Sequence, residues 1–118
     1  MTTVDIRPTY YKLDGKNPVP CQEVREWSRW FETAERVVKQ EDVGPFFVST
    51  VFLGIDHRFG GGGQPLVFES AVFTRETVQL WGKTRPGLCD YAMERTATWD
   101  EALEAHARAV AWAKEHAT

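Results

Sequence analysis

Phe46-Phe47-Val48-Ser49-Thr50-Val51-Phe52-Leu53-Gly54-Ile55-Asp56-His57 is the stretch from which the fold is read. It is rich in β-branched and aromatic residues, which suit a pleated, buried strand. Successive side chains on a strand point to opposite faces. Val51, Leu53 and Ile55 therefore face one way, and Phe46, Val48 and Phe52 the other. Both faces are apolar, whereas an antiparallel strand with one wet face alternates apolar with polar residues. Either helices cover both faces, or the second face meets another subunit.

Working outward, Phe59-Gly60-Gly61-Gly62-Gly63-Gln64-Pro65 forms a loop, and Leu66 to Thr74 is a second strong strand. The two strands read as one long hairpin closed by the glycine loop. On the other side, Arg36 to Val43 is a strand that turns at Gly44-Pro45 into Phe46. Nearer the N-terminus, Tyr10 to Leu13 is a short strand, Asp14-Gly15 a turn, and Asn17-Pro18-Val19-Pro20 extended, because each proline biases its predecessor away from helix. A helix from about Cys21 to Glu35 carries Val24, Trp27, Phe31 and Ala34 as an apolar stripe. Arg75 to Asp90 reads as a loop with a short strand at Val78 to Trp81, and Tyr91 to Ala97 as a last strand. Thr98-Trp99-Asp100-Glu101 has the capping-box pattern and opens a final helix, with Trp99, Leu103, His106 and Val110 on one side. The expectation is a single α+β domain over residues 1–118. Its antiparallel sheet has four or five strands, with one N-terminal and one C-terminal helix.

Composition narrows the function classes. The 118 residues suit one domain. Apolar residues make up 42% and charged residues 26%, a globular balance. Aromatics reach 13%, with five Trp and seven Phe, enough to build a small core and leave rings for a partner surface. The formal charge is −3, which supplies no positive field for non-specific nucleic-acid binding. Apolar runs fall well short of the ~20 residues that span a bilayer, so no membrane is expected as partner. Met1 to Lys12 lacks the pattern of a signal peptide. Cys21 and Cys89 are expected as free thiols rather than a disulfide or a zinc site.

Asp56-His57-Arg58 is the leading candidate site, because a rigid strand end beside a glycine loop is a good place to hold reactive groups. Asp56 and Arg58 share a strand face, and Glu69 lies near them on the returning strand. An acid/base pair of His57 with Glu69, or a metal held by Asp56, His57 and Glu69, is chemically allowable. The plainer reading is that Asp56 caps the turn, pairs with Arg58, and leaves His57 satisfied. No metal-ligand spacing is present, so no metal or cofactor is expected, and no catalytic residue is assigned. Gly61 and Gly62 are read as part of a flap over a ligand or partner, because the Lys-Ser/Thr and following helix of a phosphate loop are missing. His106 reads as a hydrogen-bonded core histidine. Ser49 and Ser70 lack the elbow that exposes a nucleophile.

Val48-Ser49-Thr50-Val51-Phe52-Leu53-Gly54-Ile55-Asp56-His57-Arg58-Phe59-Gly60-Gly61-Gly62 resembles a family of small bacteriophage and prophage proteins. Pro18-Val19-Pro20 leading to Glu26-Trp27 and Trp30-Phe31-Glu32, then Pro65-Leu66-Val67-Phe68-Glu69, and Thr98-Trp99-Asp100-Glu101-Ala102 fit the same pattern in order. The resemblance carries over no catalytic residue. It implies a phage-encoded accessory protein acting by binding in the cytoplasm of the bacterial host. The partner would be a host defence protein or a small defence-related nucleotide, with the chain itself a homo-oligomer. The alternative is a small hydrolase-like enzyme with its site at Asp56, His57 and Glu69.

Overall fold

The computed structural model describes residues 10–56, 64–80, 82–89, 91 and 93–117. The chain begins with β1 (Tyr11–Asp14) and β2 (Asn17–Pro20), an antiparallel pair that turns at Gly15 with φ +64°. Helix α1 (Val24–Thr33) follows, then β3 (Val37–Val43), β4 (Phe46–Phe52), β5 (Phe68–Leu80), β6 (Lys83–Leu88), β7 (Glu94–Thr96) and α2 (Trp99–His116). Strands β3 to β7 form one antiparallel sheet in the order β3-β4-β5-β6, with β7 also paired to β5. The α+β class, the helix early in the chain and the helix at its end are as expected. So is the hairpin whose strands pair from Phe46 opposite Thr74 to Phe52 opposite Phe68.

Helix α1 starts where Glu23 caps it, its carboxylate accepting from the N–H groups of Arg25 and Glu26 at 3.1 and 3.0 Å. Trp27 is buried and donates its indole N–H to the Tyr11 carbonyl at 2.9 Å. Val24, expected on the apolar stripe, is instead 46% exposed, and Trp30 packs on the core through its edge against Phe52. The buried sector is centred on Trp27 and Trp30, so the stripe is turned away from Val24. Glu26 binds Lys12 of β1 at 2.8 Å. This hydrogen-bonded contact holds the carboxyl below its ordinary range and the ammonium above its own.

Helix α2 is capped as read: the Thr98 hydroxyl accepts from the Glu101 N–H at 3.1 Å. Its buried side differs from the expected one. Ala102, Ala105, His106, Ala109 and Ala113 face the sheet, while Leu103 is 39% exposed. Small side chains let the helix lie close on the strands, so the alanines rather than the larger residues define the contact. Its N-terminal half joins the core of Tyr11, Phe52, Val67 and Phe68, and its C-terminal half packs on Phe46, Val48 and Val72.

Two further expectations need correction. Arg75 to Asp90 is mostly strand: β5 runs on to Leu80 and returns as β6, the turn carrying Gly82 at φ +75°. Pro86 and Gly87 look like loop residues, but β6 is an edge strand, where a proline is tolerated. The strand expected from Tyr91 to Ala97 shrinks to Glu94–Thr96, which pairs with only three residues of β5. The fold thus keeps a helix-covered sheet face, on which Phe46, Val48, Thr50, Phe52, Phe68, Ser70 and Val72 lie. Among the described residues, neither core cluster takes Phe47, Val51 or Phe73 from the opposite face.

Candidate functional site

Of the glycine-loop candidates, Asp56 and Glu69 fall within the described residues. His57, Arg58, Gly61 and Gly62 lie outside the described residues. Asp56 accepts a hydrogen bond at 3.2 Å from the backbone N–H of Leu66, so it ties together the two ends of the loop. Glu69 belongs to another place. It sits opposite Val51 of β4 and Arg95 of β7, and its carboxylate accepts from Arg95 Nε at 3.2 Å. Leu66 and Glu69 are three residues apart, which is ~10 Å along an extended chain. Asp56 and Glu69 are therefore engaged separately and do not share one ligand position.

The sheet face opposite α2 is the more extensive feature, with Phe47, Val51 and Phe73 half-buried and Ser49 and Ala71 buried. Its cross-strand rows follow from the register. Asp42, Phe47 and Phe73 form one row, Gln40, Ser49 and Ala71 the next, and Val37, Val51, Glu69 and Arg95 the third. Phe47 stands directly opposite Phe73. The Phe47–Phe73 row lies at one end of this face, Ser49 and Ala71 form the middle, and the Glu69–Arg95 ion pair closes the other end. Gln40 donates to the Ser49 hydroxyl at 2.9 Å, so polar groups on this face are satisfied beside the rings. Spacing of strands at ~4.8 Å and residues at ~3.3 Å gives this face an area on the order of 450 Å².

The third feature was not legible as a unit in the sequence. Between sheet and α2 runs a chain of polar groups in an otherwise apolar layer. His106 Nε2 meets Glu41 Oε1 at 2.9 Å, His106 Nδ1 meets Thr50 Oγ1 at 2.7 Å, and Thr50 Oγ1 meets Ser70 Oγ at 2.7 Å. A carboxylate only accepts, so Nε2 donates to Glu41; with the ring's single N–H on Nε2, Nδ1 accepts. Thr50 then donates to the ring, and Ser70 donates to Thr50. Carboxylate, imidazole and hydroxyl in this order are the components that activate a nucleophile. Here the hydroxyls are sealed: Thr50 is 0% exposed, Ser70 1% and His106 1%. An electrophile has no approach to Thr50, and the chain acts as a fully bonded polar seam that fixes α2 on the strands. Only Glu41 reaches the surface, where Lys39 Nζ lies 4.0 Å away. The sequence did hold a signal: Thr50 and Ser70 interrupt two apolar strands, and His106 lies among the alanines of α2.

Among the described residues, no group of three His, Cys, Asp or Glu side chains is placed to hold a metal ion, and no helix is long and apolar enough to cross a membrane. Cys21 and Cys89 are free thiols; Cys89 Sγ contacts the Val72 carbonyl at 3.1 Å. In comparisons with known proteins, no family model, no curated protein and no solved structure matches the chain.

Proposed function

We propose that this chain is a phage-encoded accessory protein that works by binding, and that its ligand is a protein of the bacterial host held on the sheet face opposite α2. The observation that carries this reading is the pair Phe47 and Phe73. They stand side by side on β4 and β5, outside both core clusters, with Asp42 in their row and the Glu69–Arg95 pair at the far end of the face. Isolated surface apolar residues need no explanation, but a contiguous apolar patch with a polar rim marks an interaction site. Aromatic side chains are enriched at protein interfaces, whereas small ligands take pockets with convergent polar groups, so Phe47 and Phe73 favour a protein over a nucleotide. The catalytic alternative loses support because Asp56 and Glu69 have separate partners and the hydroxyls beside His106 are closed off. In this reading the protein acts in the host cytoplasm, and a defence protein is the kind of target that the phage resemblance suggests.

The test uses the purified chain and a Phe47→Asp variant as baits in host lysate. The captured protein is identified by mass, remade pure, and titrated against both forms by calorimetry. The reading expects saturable binding by the wild-type chain and at least a hundredfold loss in the variant, since a central aromatic anchor carries a large share of such an interface. Equal binding by the two forms, or a ligand of nucleotide size, would overturn it.

A further inference from the structure

Helix α2 carries two apolar stripes, and its own sheet uses one of them. Ala102, Ala105, His106, Ala109 and Ala113 face the strands. Leu103, Ala107, Val110 and Ala111 recur at three- and four-residue steps on a second stripe, roughly a third of a turn away. Leu103 is 39% exposed, Ala107 and Ala111 are exposed, and Val110 is half-buried. The rest of the outer surface is charged, with Glu101, Glu104, Arg108 and Glu115 on a separate flank. A surface helix needs one apolar side for its own core, and the monomer has no use for a second.

The ends of the second stripe are charged, with opposite signs. Asp100 in the first turn and Lys114 in the last both lie on it, ~21 Å apart along the helix. Both are exposed, and among the described residues neither is in an ion pair. The helix macrodipole favours an acid at the start and a base at the end. Its effect is the same all round the helix, so it does not account for placing both charges on the apolar stripe. The stripe also forms one wall of a groove of about 370 Å³ between α2 and β3. On the other wall Lys39 and Glu41 approach each other to 4.0 Å, so the charges of that wall are matched. The two that stay open are those at the ends of the stripe.

We propose that the second stripe seats the α2 helix of a second copy of this chain, antiparallel to the first. The two-fold axis is perpendicular to both helices and to the line between them, and it passes beside Ala107. About that axis Ala107 meets Ala107 of the other copy, Leu103 comes beside its Val110, and Asp100 comes level with its Lys114. The last pairing occurs twice, once at each end of the contact. A stripe that runs from acid to base complements itself only when reversed, because a parallel partner would set Asp100 beside Asp100 and Lys114 beside Lys114. Ala107 and Ala111 have no bulk beyond Cβ, so the two helices can approach closely. This is an isologous interface, in which the same patch serves both sides. Each sheet lies on the outer side of the helix pair, and the face with Phe47 and Phe73 is turned away from the contact. The dimer therefore stands whether or not that face holds a host protein.

Sedimentation velocity over roughly a hundredfold range of micromolar concentration measures the association. The wild-type chain should pass from one chain mass to two. Ala107→Glu sets two carboxylates at the axis and should weaken the dimer by about tenfold or more. Asp100→Lys and Lys114→Glu each bring like charges together at both ends, and each should weaken self-association by about tenfold. An equimolar mixture of these two variants should regain a dimer with one chain of each, because both ends then join opposite charges. All three positions are exposed, so the variant monomers should keep the wild-type fold, which circular dichroism verifies. A wild-type chain that stays monomeric over this range overturns the proposal. So does a dimer that keeps its affinity in Ala107→Glu, or a pair of charge variants that associate no better mixed than alone.

Discussion

Replacing Thr50 with valine removes one oxygen atom from the buried seam and keeps the shape of the side chain. In the wild-type chain Thr50 donates to His106 Nδ1 and accepts from Ser70, each at 2.7 Å. The substitution leaves two fully buried groups without partners, the ring nitrogen and the Ser70 hydroxyl. Each buried orphan costs about 1–3 kcal/mol, so the two together should destabilise Thr50→Val by about 2–6 kcal/mol. Ser70→Ala is milder. It removes one donor and leaves Thr50 still bonded to the ring, for a loss of ~1 kcal/mol. In Thr50→Val/Ser70→Ala the Ser70 orphan no longer exists, so the double variant should be less destabilised than the sum of the two single ones. Urea unfolding followed by circular dichroism measures all three, with slopes compared to verify that only the midpoint moves. The reasoning depends on the direction of the bonds, from Ser70 to Thr50 to His106. If Ser70→Ala proved as costly as Thr50→Val, or if the two losses simply added, that direction would be wrong.

Adjacent residues of β4 should respond in opposite ways to the same charge. Phe47→Asp on the half-buried face opposite α2 should cost about 1–3 kcal/mol, while Val48→Asp, fully buried against α2, should prevent folding; expression and thermal melts separate the two. Gly54→Ala should lower stability by about 2 kcal/mol, because φ is +77° there and the new Cβ would lie 3.2 Å from Trp27 Cζ2 and 3.3 Å from Phe31 Cε2; a denaturant titration reads the loss. Burial, with Glu94 nearby, pushes the Tyr91 phenol above its ordinary value even though Arg108 opposes it. The folded form therefore holds this proton longer than the unfolded one. Stability from Tyr91 is complete below the ordinary phenol range and is lost as pH rises through the folded value, a decline that Tyr91→Phe should remove from the alkaline melts.

The parts of this fold that were legible in the sequence are those where one local pattern has one reading. Thr98 with Glu101 specifies a helix start because the cap is made within four residues. Gly44-Pro45 and the two apolar runs around the glycine loop specify the hairpin for the same reason. What was misread required knowledge of a neighbour. The stretch from Arg75 to Leu88 contains proline and glycine, which argue for a loop until β6 is known to be an edge. Leu103 seems the better core residue until the closeness of α2 to the sheet favours Ala102 and Ala105. The partner of Glu69 was hidden on the same ground: Asp56 and Glu69 are close in the hairpin pattern, but the register places Glu69 opposite Arg95.

One inference from the sequence did carry through to the functional reading. A β4 strand apolar on both sides implied either two covering layers or a surface for another molecule. Both helices lie on one side, and the second face of β4 and β5 carries Phe47, Val51 and Phe73 outside both core clusters. Polar groups on that face complete each other, Glu69 with Arg95 and Gln40 with Ser49. On the covered face the polar groups are threaded through the middle, from Glu41 to Ser70, and closed by α2. A side that is meant to be sealed can place its hydroxyls deep, because its own helix completes their bonds. A side that meets a partner keeps unsatisfied polar groups out of its centre, since the partner's chemistry cannot be counted on to complete them. By that criterion the Phe47–Phe73 face suits the apolar contact proposed for it.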